Sequence, residues 1–120
     1  MQYMILIYGD EARWASLSPA EAEAGMGAWF AYTEAMKHAG VFVAGDPLES
    51  ITKATAVRTR NGKTEVLDGP FAETKEQLGG YYLIDVPDAD AAIAWATRCP
   101  GAAYGTIEVR PIMAIPAAAP

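Results

Sequence analysis

Asp68-Gly69-Pro70-Phe71-Ala72-Glu73-Thr74-Lys75-Glu76 packs four charged side chains and an aromatic anchor into nine positions. Polar loops beside regular strands are where binding groups are often placed. A carboxylate at the edge of a hydrophobic sheet can serve as a general base, which makes Asp68 the first catalytic candidate. The plainer reading is an Asp-Gly turn, with the carboxylate accepting a backbone N–H. Glu73 is the second candidate, and the competing reading is a solvated charge run. Its spacing from Lys75 does not stack the two on a helix. His38, the only histidine, is the third. It also falls at a helix end, where a cation is favoured, and Glu34 stands one turn earlier as a possible partner.

Most groups that could hold a ligand lie outside this stretch. Tyr8, Trp29 and Tyr81, with Tyr82, can line an aromatic pocket between sheet and helix, or simply build the core. Phe71 is the apolar member of the charged stretch. Arg58 and Arg110 can hold an anion; for Arg58 a surface pair with Glu65 is the plainer account. One histidine and one cysteine cannot assemble a metal site, so no metal is expected. Cys99 has no visible base and reads as a small buried hydrophobe. No phosphate loop, dinucleotide fingerprint or nucleophile elbow is present, so no cofactor is expected.

The elements that must position these groups follow from the apolar pattern. Tyr3 to Tyr8 is a continuous apolar run, the mark of a strand covered on both faces. A polar connection containing Trp14 follows. Ser18-Pro19-Ala20-Glu21 is a capping box with proline at the first helical position. The helix should run to about Ala39 and stop at Gly40. Its buried face is expected to carry Met26, Trp29, Phe30, Thr33 and Met36. Gly25 and Gly27 weaken it by roughly 1 kcal/mol each relative to alanine.

Val41 to Ala44 is a short strand, and Leu48 to Lys53 has no firm assignment. Asn61-Gly62 is a strong hairpin signal. It pairs Arg60 with Lys63, Arg58 with Glu65, Val57 with Val66 and Thr55 with Asp68. Asp68 thus shares a face with Val57 and Val66, and sits at the rim of the core if that face is buried. Tyr81 to Val86 is a strand. Asp88 caps a second helix carrying Ala92, Trp95, Ala96 and Cys99, and Thr106 to Arg110 is the last strand.

The order is βαβ, hairpin, βαβ: an α+β, ferredoxin-like antiparallel sheet with two helices on one face. One domain over 1–115 is expected, with a frayed tail over 116–120. Two helices cover one face only, and an apolar second face is most simply covered by another copy, giving a homodimer packed sheet to sheet. The 120-residue chain has a formal net charge of -6, which argues against a nucleic-acid partner. No segment has the length or apolarity of a membrane span, and the N-terminal run reads as a strand, so a cytoplasmic protein is expected.

The stretch Leu67 to Glu76, followed by Leu78-Gly79-Gly80-Tyr81-Tyr82, resembles the signature of the DGPF-domain proteins in the YCII-related family. The resemblance continues through Ala91-Ala92-Ile93-Ala94-Trp95-Ala96, Cys99-Pro100 and Gly105 to Pro111. It implies a dimeric α+β barrel. Function in this family is mostly unassigned. Wider YCII-related proteins are linked to enzymes through a histidine and an aspartate acting together, and one relative is a dehydrochlorinase of a chlorinated hydroxyquinol. Some DGPF proteins are encoded beside extracytoplasmic-function sigma factors. The family's histidine lies eleven positions before the helix-ending glycine; here that position is Trp29. Two readings result: a small cofactor-independent lyase or isomerase with Asp68 as acid/base, or a non-catalytic ligand-binding or regulatory module with a sigma-factor partner.

Overall fold

The computed structural model describes residues 1–116. The expected frayed tail, Pro116 apart, lies outside them. Strand β1 (Gln2–Gly9) ends at Asp10, whose carboxylate accepts the Ala12 N–H at 3.0 Å and starts a short helix, α1 (Glu11–Ala15). The polar connection is therefore helical around Trp14. Helix α2 (Pro19–His38) begins on the full capping box. Ser18 Oγ accepts the Glu21 N–H at 3.2 Å, and the Glu21 carboxylate accepts the Ser18 N–H at 3.0 Å. It ends one residue before the expected position, and Gly40 takes the left-handed φ of 74°.

The two helical glycines have different reasons to be there. A Cβ on Gly25 would stand 2.9 Å from Cη2 of Trp14, so the α1 indole packs on that turn; one on Gly27 would meet nothing within 4 Å. Gly27→Ala should raise stability by about 1 kcal/mol, and Gly25→Ala should gain less because the indole must move. Urea midpoints of the two variants check this.

Strands β2 (Phe42–Pro47), β5 (Gln77–Asp85) and β6 (Thr106–Pro111) complete a four-stranded sheet ordered β2-β5-β1-β6, antiparallel at every neighbour. Helix α3 (Ala89–Arg98) starts on Asp88, whose carboxylate accepts the Ala91 N–H at 2.9 Å. Short 3₁₀ turns at Ile51–Lys53 and Pro100–Ala103 fill two connections. This is the expected ferredoxin-like α+β order. Tyr3 and Ile5 of β1 lie opposite Ile84 and Tyr82 of β5, and these four form one core with Tyr32 and Met36 of α2 and Ala92 of α3. On the other face Met4, Leu6 and Leu83 are only half-buried, so the sheet is apolar on both sides.

The buried stripe of α2 differs from the expected one. Tyr32 and Met36 are buried and Trp29 is half-buried, but Met26 and Phe30 are 53% and 66% exposed. Helical rotation decides this: Tyr32 and Met36 sit one turn apart on the sheet side, and Phe30 is turned away from that line.

The hairpin, β3 (Thr55–Arg60) and β4 (Lys63–Asp68), has the register expected, with positive φ at both Asn61 (53°) and Gly62 (77°). It does not join the main sheet but forms its own two-stranded one. Val57 and Val66 are each 64% exposed, so their face is not buried and Asp68 is not at the rim of the core. The reason is that β5, not the hairpin, fills the place beside β1.

Cys99 is buried at the end of α3, and burial pushes its thiol up to about 11 from 9.0. Because the folded value is the higher one, the unfolded chain loses this proton first. The stability it contributes is intact below pH 9 and declines as pH rises toward 11. We expect Cys99 to resist thiol reagents at pH 8 until the chain is unfolded, with the urea midpoint falling above pH 9. Among the described residues no helix is long and apolar enough to cross a membrane.

Candidate functional site

β1 and β2 run in the same direction, each antiparallel to β5 between them. Their C-terminal ends therefore meet at one end of the sheet. The first delivers Asp10 and Glu11, the second Asp46. There, between the sheet end, α1 and α2, lies a cleft of about 420 Å³. This is within the usual range for small-molecule sites, roughly 300–1,000 Å³. Its walls are aromatic: Tyr8, Trp14, Trp29, Phe30, Tyr81 and Tyr82.

Tyr82 is buried beneath this cleft. Its ring meets Tyr32 edge to face at 5.5 Å and Phe42 at 6.2 Å. Gly45 makes room for it, because a Cβ there would stand 2.5 Å from Cδ1 of that ring. Thr33 Oγ1 donates to the Trp29 carbonyl at 3.0 Å, so the 2.6 Å contact between Thr33 and Tyr82 is a bond donated by the phenol. Burial raises the Tyr82 phenol above its ordinary value.

Three carboxylates serve the cleft in different ways. Asp10 caps α1. Glu11 is a clamp: its carboxylate accepts Ser50 Oγ at 3.0 Å and the Ile51 N–H at 2.8 Å, while its own N–H donates to Gln77 Oε1 at 3.1 Å. Among the described residues Asp46 has one side-chain partner, the Tyr81 hydroxyl, which donates to Oδ2 at 3.1 Å. That bond raises the Tyr81 phenol and keeps it a donor. No lysine or arginine lines the cleft, and none of the three carboxylates is in an ion pair among the described residues. A cation stands close by, where Arg13 stacks 3.7 Å over the ring of Tyr104, itself a wall residue.

Of the residues singled out from the sequence, Tyr8, Trp29 and Tyr81 are brought together here. Phe71, 86% exposed, lines a larger open groove of about 1110 Å³ that shares Tyr8 with the cleft. Arg58 lies on the hairpin, with Nε 2.9 Å from Glu65 Oε2. Asp68 is exposed at the hairpin's end, where the Gly69 N–H donates to the Ala54 carbonyl at 2.7 Å. Glu73 is exposed in the connection to β5. His38 is exposed at the end of α2, and Glu34 pairs with Lys37 at 4.0 Å. None of Arg58, Asp68, Glu73 and His38 lines the cleft. The rest of the charged stretch holds the connection after the hairpin, not the hairpin itself, to β5 and β6: Gln77 Nε2 donates to the Thr74 carbonyl at 2.6 Å, and Thr106 Oγ1 to Glu76 Oε1 at 2.7 Å.

Glu11, Trp14 and Asp46 were not singled out from the sequence. The signal existed: Gly9-Asp10-Glu11 and Gly45-Asp46-Pro47 are polar ends of two apolar runs, and parallel strands of one sheet must end together.

The model of the YCII-related domain matches residues 1–116. The chain belongs to the YCII-related family. An uncharacterised protein of Rhizobium meliloti (strain 1021) is 40% identical over 114 residues, covering 93% of this chain and 92% of that protein. Among solved structures, this YCII-related protein is similar to the 5-chloro-2-hydroxyhydroquinone dehydrochlorinase of Burkholderia phenoliruptrix AC1100 in complex with 2,5-dihydroxybenzoquinone. The TM-score is 0.54 at 14% identity, over 94% of both chains. That likeness is one of fold, an α+β arrangement built on an antiparallel sheet.

Proposed function

We propose that the aromatic cleft is the site of a small cofactor-independent proton-transfer enzyme, a lyase or isomerase for a flat hydroxylated ring or enol. The observation that carries this reading is the Tyr81–Asp46 pair set among aromatic walls. Rings on both sides hold a flat ligand by stacking. Asp46, held by the Tyr81 hydroxyl, takes a proton from the ligand, and Tyr81 orients the carboxylate. In an isomerisation the proton returns to another atom of the ligand. In an elimination a leaving group departs with its bonding pair. Asp46 rather than Asp68 holds this role because Asp68 does not line the cleft. The fold neighbour's complex with a dihydroxybenzoquinone supports a ligand of this shape. The half-buried apolar sheet face supports a homodimer packed sheet to sheet.

The test is a calorimetric titration with 2,5-dihydroxybenzoquinone and its reduced hydroquinone. Saturable binding is expected, weakened about tenfold by Trp14→Ala, a change at a half-exposed position on a short helix. Equal binding by both proteins places the ligand elsewhere. Binding without product formation from hydroxylated rings establishes the non-catalytic, ligand-sensing reading instead.

A further inference from the structure

Among the elements of the described residues, the β3–β4 hairpin packs substantially only against itself. A lone two-stranded hairpin is marginal in water. Its six-residue strands reach about 20 Å. The chain's radius of gyration is 16.9 Å, against about 14 Å expected for a compact chain of this length. The hairpin is thus an arm without a support. Val57 and Val66 stand directly opposite each other on one of its faces, both largely exposed. Arg60 and Lys63 flank its tip.

The cleft has the complementary surface. Met26 and Phe30 form an exposed apolar rim, and three carboxylates line it with no lysine or arginine among them. We propose that the arm of one copy lies on a second copy, with Val57 and Val66 over Met26 and Phe30, and Arg60 and Lys63 toward Asp10, Glu11 and Asp46. Each cleft is then finished by the other chain. The contact is reciprocal in a two-fold dimer, so both arms are supported at once. It offsets the carboxylate charge that has no ion pair among the described residues. Docking does not depend on the function proposed above.

Two variants with one added cysteine each, Val57→Cys and Phe30→Cys, are mixed in equal amounts and treated with a short bis-maleimide. Native Cys99 stays in place, and unsubstituted protein is the control for its buried thiol. A cross-linked pair joining the two different variants is expected in excess over pairs of like variants. No such pair, or linkage only within a single chain carrying both substitutions, overturns the proposal. Val66→Asp supplies an independent measurement. In a lone protomer this exposed position tolerates a polar residue, so the urea midpoint of the dilute protein should hold. The dimer dissociation constant by sedimentation should rise roughly tenfold. An unchanged constant shows that the arm is not at the interface. Neither readout involves a ligand, so failure of the cleft as a binding site would leave both unaffected.

Discussion

Asp46→Asn should lower turnover of a hydroxylated ring substrate by about 10²–10⁴-fold, the usual worth of a positioned general base. Its effect on stability should stay within about 0.5 kcal/mol. The carboxylate is exposed and has one side-chain partner, Tyr81, whose hydroxyl can donate equally well to the amide oxygen of asparagine. The substitution therefore keeps the geometry and removes only the group that accepts a proton. Asp68→Asn, the parallel change in the charged stretch, should leave the rate unaltered, because that carboxylate lies outside the cleft. Comparing kcat for the two variants decides between them. A rate lost with Asp68→Asn and kept with Asp46→Asn would transfer the base to the hairpin's end.

Tyr32→Ala should cost about 3–5 kcal/mol of stability, the range for removing a large buried aromatic. Tyr32 is the meeting point of the core and the cleft. Its ring stands edge-on to Trp29 at 6.4 Å and to Tyr82 at 5.5 Å, and tilts against Trp95 at 6.2 Å. Its hydroxyl donates to the Trp95 carbonyl at 2.7 Å, joining α2 to α3. Truncation leaves a cavity under two of the cleft's walls, so ligand affinity should fall along with the urea midpoint. Tyr32→Phe, which keeps the ring, should cost about 1 kcal/mol and spare the cleft. If alanine and phenylalanine variants behave alike, the ring contacts are not what holds the walls.

Local chemistry made much of the fold legible. The Ser18–Glu21 box and Gly40 located α2 to within a residue, and Asn61-Gly62 gave the hairpin register pair by pair. What escaped was set by tertiary placement. Met26 and Phe30 have the same apolarity as Met36, and only the position of the sheet shows which of them it covers. The five residues of α1 are too few for a periodic pattern, and Trp14 declares its role only against the bare turn at Gly25. The hairpin's valines alternate as a half-buried strand would, yet among the described residues they stay largely exposed. For the site, the aromatic residues Tyr8, Trp29 and Tyr81 were visible as a group because strand and helix ends converge. Asp46 was hidden in a turn signal, Gly45-Asp46-Pro47, that reads equally well as punctuation. The charged stretch drew attention by density of charge, whereas the cleft is distinguished by the ordering of its few polar atoms.

The Glu11 clamp has a consequence for how freely this protein can vary. Surface loops ordinarily accept inserted or deleted residues. Here a single carboxylate fastens the segment at Ser50 and Ile51 to the start of α1, and the same residue's amide is fastened to Gln77. Three stretches of chain far apart in sequence are riveted at one point beside the mouth of the cleft. A length change between Leu48, which lines the cleft, and the clamped Ser50 would pull on that mouth, so this part of the loop is not a free connector.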